Sequence, residues 1–269
     1  MNKELRQLAL ESLIISEPKS KRIAVTELCR GCISGDVKLD ISKEIINTLG
    51  HIPGRPALPM LVDPLTVKKR SMNTLDGRAA LIHALAHIEF NAINLALDAI
   101  WRFPNLPEDY YKDWLKVAQE ESYHFELLSN YLTGIGYGYG SFDAHNSLWE
   151  MVEKTKNDPL ARMALVPRTM ESRGLDALPL IRKRFIQIND KEMTSILEVI
   201  LNDEVGHVEI GNRWFNYLCD KDGIDPVDIY SKLVVQYKAP TLRGPFNIEA
   251  RRAAGFTDRE LEALAITNN

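Results

Sequence analysis

The sequence uses one device twice, at nearly equal spacing. Glu89 is followed 32 positions later by Glu121 and, three residues on, by His124; Glu171 is followed 33 positions later by Glu204 and, three residues on, by His207. Each of these acids sits in a pattern of apolar residues three and four apart, which marks a helix with one face turned to a core. A carboxylate on such a face is costly unless a partner of opposite sign compensates it. The stretch "LNDEVGH" at 201–207 states the problem most compactly, with Asp203, Glu204 and His207 inside one helical repeat. Any fold of this chain must bring long helices together and give these acids something positive to face.

The periodicity supplies the helices. Residues 76–103 and 108–133 predict two long ones, stopped by Pro104 and by Gly134 and Gly136. Residues 159–187, opened by Asp158 and Pro159 and kinked at Pro167 and Pro179, and residues 191–219, capped by Asn189 and Asp190, predict a second pair. Short helices are expected at 2–13, 22–33 and 146–156, and Thr257 with Glu260 forms a capping signal in the tail. The prolines at 53, 56, 59 and 64 exclude regular helix from 49–64. No alternating strand pattern is visible. The fold expected is all-α, a four-helix bundle of two antiparallel pairs joined by a long crossover. It forms one domain, with an N-terminal extension (1–75), a core (76–220) and a C-terminal extension (221–269).

Spacing converts this architecture into chemistry. Three residues along an α-helix turn it by about 300°, so the Glu and His of Glu-x-x-His stand side by side. Two such pairs and two further Glu, facing inward from four helices, place four carboxylates and two imidazoles around one point. That donor set suits two divalent irons, two manganeses or a mixed Mn/Fe pair, and it is the ligand arrangement of ferritin-like dimetal carboxylate bundles. The predicted metal ligands are therefore Glu89, Glu121, His124, Glu171, Glu204 and His207. A solvated helix face explains Glu126, Glu192 and Glu209 better, and these read as surface residues.

Other residues take secondary roles. Glu120 and Asp203 each precede a motif Glu, where a carboxylate could reach the histidine of the opposite motif and fix its tautomer. Gly206 lies between ligands and costs its helix about 1 kcal/mol relative to Ala. Close helix approach, room for substrate or O₂, or simple relief of packing would each account for it. Tyr123 is a candidate for electron or radical transfer, with a packed tyrosine as the plainer alternative. His83 and His87 lie about 120–160° around the first long helix from Glu89 and read as hydrogen-bonded residues rather than ligands of the same ions. His51 and His145 fall in loops without an evident role. The single Cys-x-x-Cys, Cys29 to Cys32, lacks the βαβ context of a redox motif.

The stretches "PGRPALPMLVDP", "GRAALIHALAHIEFNAINLALDAIWRF", "DEVGHVEIGNRWF" and "GPFNIEARRAAGF" resemble the bacterial ferritin-like family catalogued as domain of unknown function 455, from about residue 50 onward. The resemblance implies a ferritin-like core with the six ligands above and supplies no reaction. The acid before each motif Glu is more distantly similar to oxygen-activating di-iron hydroxylases and ribonucleotide reductase small subunits.

The expected function is that of a di-iron oxidoreductase using O₂ or peroxide, an electron donor and an unidentified substrate. The alternatives are ferroxidase-type iron handling and a tRNA-modifying hydroxylase, for which Arg243, Arg251 and Arg252 would supply the basic surface. The net charge of −4 gives no global footprint for nucleic acid. No run approaches 18 apolar residues, and the N-terminus lacks a signal-peptide pattern. With three cysteines, a reducing cytoplasm is the expected location, and a homodimer is among the assemblies allowed.

Overall fold

The computed structural model of the protein describes residues 3–47, 50–68 and 70–266. Residue 2, where the first short helix was expected to begin, and residue 49, where the proline-rich stretch begins, lie outside the described residues. The chain divides into two compact units, residues 1–149 and 150–269. Both are helical, as the periodicity predicts.

The first unit opens on β1 (Lys3–Glu4), α1 (Leu5–Leu13), α2 (Pro18–Ser34) and β2 (Val37–Lys38), followed by α3 (Leu75–Arg102) and α4 (Glu108–Gly134). Strands β1 and β2 pair in parallel over two residues each, a small correction to the expectation of no strand. Helix α2 starts four residues earlier than the spacing predicts, because Glu17 caps it and Pro18 suits its first position.

Thr74 opens α3 by accepting from the Gly77 N–H, and Arg102 closes its last turn beside the buried Asp98, with Nε and Oδ1 2.9 Å apart. By length and composition α3 is apolar enough to cross a membrane, yet most of it is buried within the protein, as in a core helix. It packs on α1 and α4. Buried Arg6 fastens its C-terminus by donating to the carbonyls of Ile100 and Trp101 at 3.3 and 2.8 Å, taking acceptors that a helix end leaves without an intrahelical partner.

Among the described residues the proline-rich stretch has no regular helix, and it is held from both sides. The Gly54 N–H donates to Leu13 O at 2.8 Å, and Val62 and Ala144 are joined N–H to carbonyl at 2.8 Å. Helix α5 (Ser147–Lys154) carries the chain into the second unit.

That unit comprises α6 (Pro159–Leu165), a π-helical turn (Val166–Glu171), α7 (Arg173–Gln187), α8 (Lys191–Asp222), α9 (Pro226–Gln236), α10 (Ile248–Ala253) and α11 (Asp258–Ile266). The expected continuous helix over 159–187 is thus broken. Pro167 has no N–H and its ring crowds the carbonyl four residues back, which a wider turn relieves; Ser172 N–H accordingly bonds Pro167 O, five residues back, at 3.1 Å. Pro179 does not break α7. The carbonyl it deprives of a donor, Leu175 O, accepts instead from Asn247 Nδ2 at 3.2 Å.

Helix α8 runs three residues beyond expectation, to a left-handed Gly223 with φ 66°. The tail signal is a capping box: Thr257 N–H donates to Glu260 Oε2 at 2.8 Å while Glu260 N–H returns to Thr257 Oγ1 at 3.4 Å. The other Glu260 oxygen accepts from Arg168 Nη2 at 2.6 Å, and the Arg168 guanidinium lies over the rings of Phe215 and Phe256. The π turn is therefore clamped by the tail.

Candidate metal centre

In the first unit the site is built by two antiparallel neighbours. Helix α3 presents Glu89 from its most buried stretch, and α4 presents Glu121 and His124 on one face; all three side chains are buried. His124 Nδ1 stands 3.4 Å from Glu121 Oε2 and 3.6 Å from Glu89 Oε2. One donor atom from each of the three lies within 4.8 Å of the other two.

A single ring N–H cannot make two good hydrogen bonds at such lengths. The spacing suits a shared cation better, since metal–donor bonds of about 2.1 Å put neighbouring donors roughly 3 Å or slightly more apart. Burial, then the like charge of Glu121, pushes the Glu89 carboxyl well above the usual carboxylate range. Burial alone would depress His124, but Glu121 and Glu89 outweigh it and lift the imidazole to about 11. Two carboxylates drawing a proton onto a buried imidazole form a group that a divalent cation fits by charge and by donor chemistry.

The second unit repeats the motif contact atom for atom. His207 Nδ1 stands 3.2 Å from Glu204 Oε2, both on α8 and both buried. Glu171 is also buried and ends the π turn. Gly174, one turn later on α7, makes space for Glu204: a Cβ there would lie 3.0 Å from Glu204 Oε1. Gly211 likewise admits Pro167, whose Cβ would be 2.5 Å from an added methyl. Sequence reasoning missed both glycines. Their signal was available, since each is a helix-interior Gly within a turn or so of a predicted ligand or kink.

The remaining candidates are distributed as follows. Asp203 and Glu120 are half-buried, and Glu120 also pairs with Lys116 at 3.8 Å along the outside of α4. Tyr123 is 50% exposed, which corrects the expectation of a packed tyrosine. Nothing lies within 4 Å of a Cβ built on Gly206, so close helix approach does not explain it. Glu192 and Glu209 are exposed, and Glu126 pairs with Arg22, as surface residues do. Arg251 is fully buried against Asp176, Nη2 to Oδ2 2.6 Å, and Arg252 pairs with Asp258; the expected basic surface of the tail loses its central member. Cys29 is a buried thiol pushed up to about 12 by burial and then by Cys32, the opposite of a reactive thiolate.

His83 and His87 bond the Gly- and Tyr-rich loop that follows α4: the Gly140 N–H donates to His83 Nε2 at 2.9 Å, and His87 bonds Tyr139 Oη at 2.9 Å and the His145 carbonyl at 3.1 Å.

Sequence comparison places these geometries in a family. The model of a family described as "Protein of unknown function (DUF455)" matches residues 15–262. An uncharacterized protein of Haemophilus influenzae is 47% identical over 233 residues, covering 84% of this chain and 81% of its own. No solved structure matches the chain. With a family match over most of its length and a relative of this identity, the chain belongs to the DUF455 family.

Proposed function

We propose that Glu89, Glu121, His124, Glu171, Glu204 and His207 are the ligands of two metal ions in a ferritin-like helical protein. On this reading the chain is an oxidoreductase that uses O₂ or peroxide to hydroxylate or oxidise a substrate. The observation that carries the reading is the repeated contact of His Nδ1 with Glu Oε2, at 3.4 Å in one unit and 3.2 Å in the other, with Glu89 3.6 Å from the first histidine and Glu171 buried at the end of the π turn. Bound iron, or manganese in its place, would supply the redox chemistry. Four carboxylates balance the charge of two divalent ions, and the imidazoles add one nitrogen to each.

Within this reading Glu89, Glu121, Glu171 and Glu204 would hold the ions together with His124 and His207, and Asp203 and Glu120 would orient the histidines by accepting their second N–H. Open space beside Gly206 leaves room for substrate.

The test begins with protein loaded anaerobically with Fe²⁺ and then exposed to O₂. An oxidoreductase consumes O₂ in proportion to its bound iron and stops until reductant is added. Continued uptake of further Fe²⁺ into a large assembly, seen by light scattering, would instead support iron storage. Tight binding of tRNA would support the RNA-modifying alternative, from which the burial of Arg251 already takes a phosphate-binding group.

A further inference from the structure

Outside the acidic site, the first unit contains a cavity of about 240 Å³ lined by Arg55, Met60, Leu61, His87, Phe90 and Tyr139, together with Ala57 and two prolines. At about 30 Å³ per water it holds roughly eight. It is built from the proline-rich stretch, α3 and the loop after α4. Met60 and Leu61, 58% and 40% exposed, give its mouth an apolar rim.

The charge around this cavity is unbalanced. The Nη1 of Arg55 is buried and has no hydrogen-bond partner, while Nη2 donates to the neutral Asn91 Oδ1 at 3.3 Å. The guanidinium lies 5.9 Å from the Trp149 ring centroid, and Arg55 forms no ion pair among the described residues. A second cation stands behind the wall. Lys21 is wholly buried, its Nζ lies 4.9 Å from the centroid of Phe90, and its acceptors are the Leu13 and Gly54 carbonyls and Asn94 Oδ1, all neutral. Burial and the charge of Arg55 both hold the Lys21 ammonium well below its usual range. Shielded cations normally have carboxylate partners, and an unsatisfied guanidinium nitrogen is expensive.

The other polar groups are already engaged. His87 Nε2 meets the His145 carbonyl at 3.1 Å and Asn91 Nδ2 at 3.0 Å, and Nδ1 pairs with the Tyr139 hydroxyl at 2.9 Å, so both ring nitrogens are engaged in either tautomer. What the cavity lacks is an anion beneath an apolar mouth.

We propose that this cavity binds a small organic carboxylate, its head group held by Arg55 Nη1 and its apolar body lying against Phe90, Met60 and Leu61. Arginine matches carboxylate geometry, and the volume and lining suit a short aliphatic acid. This site is separate from the acidic one and does not rest on the metal reading. The test therefore uses full-length protein stripped of metal by chelation.

Calorimetric titration with hexanoate should show saturable binding of one per chain, with hexylammonium failing to bind. Arg55→Gln should weaken hexanoate about tenfold or more, the loss expected when a charged hydrogen bond is removed. Ala57→Trp, on an exposed position of the lining, should block the mouth with a similar loss, and it decides the matter if Arg55→Gln does not fold. Absence of saturation, equal binding of hexylammonium, or an unchanged affinity in the folded variants would overturn the proposal. So would displacement of hexanoate by an equal concentration of inorganic phosphate, which would make the cavity a general anion site.

Discussion

The two units carry the same acidic device on different backbones. In the first, Glu89 comes from the middle of an uninterrupted 28-residue helix, whose His83 accepts from a loop N–H and which is braced by Arg6 on its last carbonyls. In the second, Glu171 ends a π turn forced by Pro167, and that turn is clamped by arginine–carboxylate pairs, Arg168 with Glu260 and Arg251 with Asp176. An inserted residue offsets everything after it by about 100° relative to a continuous helix. The motif spacing is thus kept by the side-chain pattern while the route of the chain differs: the straight helix carries one arginine–carboxylate pair within itself, Arg102 with Asp98, and the broken route is held by pairs that reach to the tail.

The largest test of that contrast is Arg168→Met. It leaves Glu260 and Asn212 buried without their donor, and losing one partner of a buried pair costs about 3–5 kcal/mol. Denaturant titration should show that loss. Hydrogen exchange should quicken in α8 while α3 amides keep their protection.

The counterpart in the first unit is a pH effect. Burial, partly offset by Asp143, lowers the His83 pKa to about 4, against about 6.5 unfolded. The folded state holds this ring neutral, so its contribution is complete above pH 6.5 and is lost as pH falls toward 4, by up to about 3 kcal/mol. His83→Gln should flatten the stability profile across that window. An unchanged profile would mean that His83 is not the neutral pin described.

Smaller effects separate the two glycines near the second motif. Gly174→Ala sets a methyl 3.0 Å from Glu204 Oε1 and should weaken metal binding about tenfold, as disturbance of a ligand's support does. Gly206→Ala meets nothing within 4 Å and should raise stability by about 1 kcal/mol with metal affinity unchanged. Equal effects of the two on metal affinity would erase the distinction between them.

Helix positions and the pairing of Glu with His on one face were legible because both are periodic. An amphipathic helix repeats every 3.6 residues, and a ligand pair must share a face, so the spacing of Glu121 with His124 and of Glu204 with His207 carried the information locally. The π turn was only half legible: Pro167 announced a disturbance, but a kink and an inserted residue share that signal. The buried arginines were not legible. Arg55, Arg168 and Arg251 look like surface charge in sequence, and their roles depend on partners 36, 92 and 75 residues away. The same holds for His83 and His87, whose partners lie in a loop more than 50 residues on.

The most direct measurement is an anaerobic Fe²⁺ titration of the full chain, read by Mössbauer spectroscopy after O₂ is admitted. The account predicts two irons bound per chain and a coupled diferric product, with both lost in Glu121→Ala and in Glu204→Ala. Iron that fails to bind, or that binds with the same stoichiometry in those two variants, would contradict it.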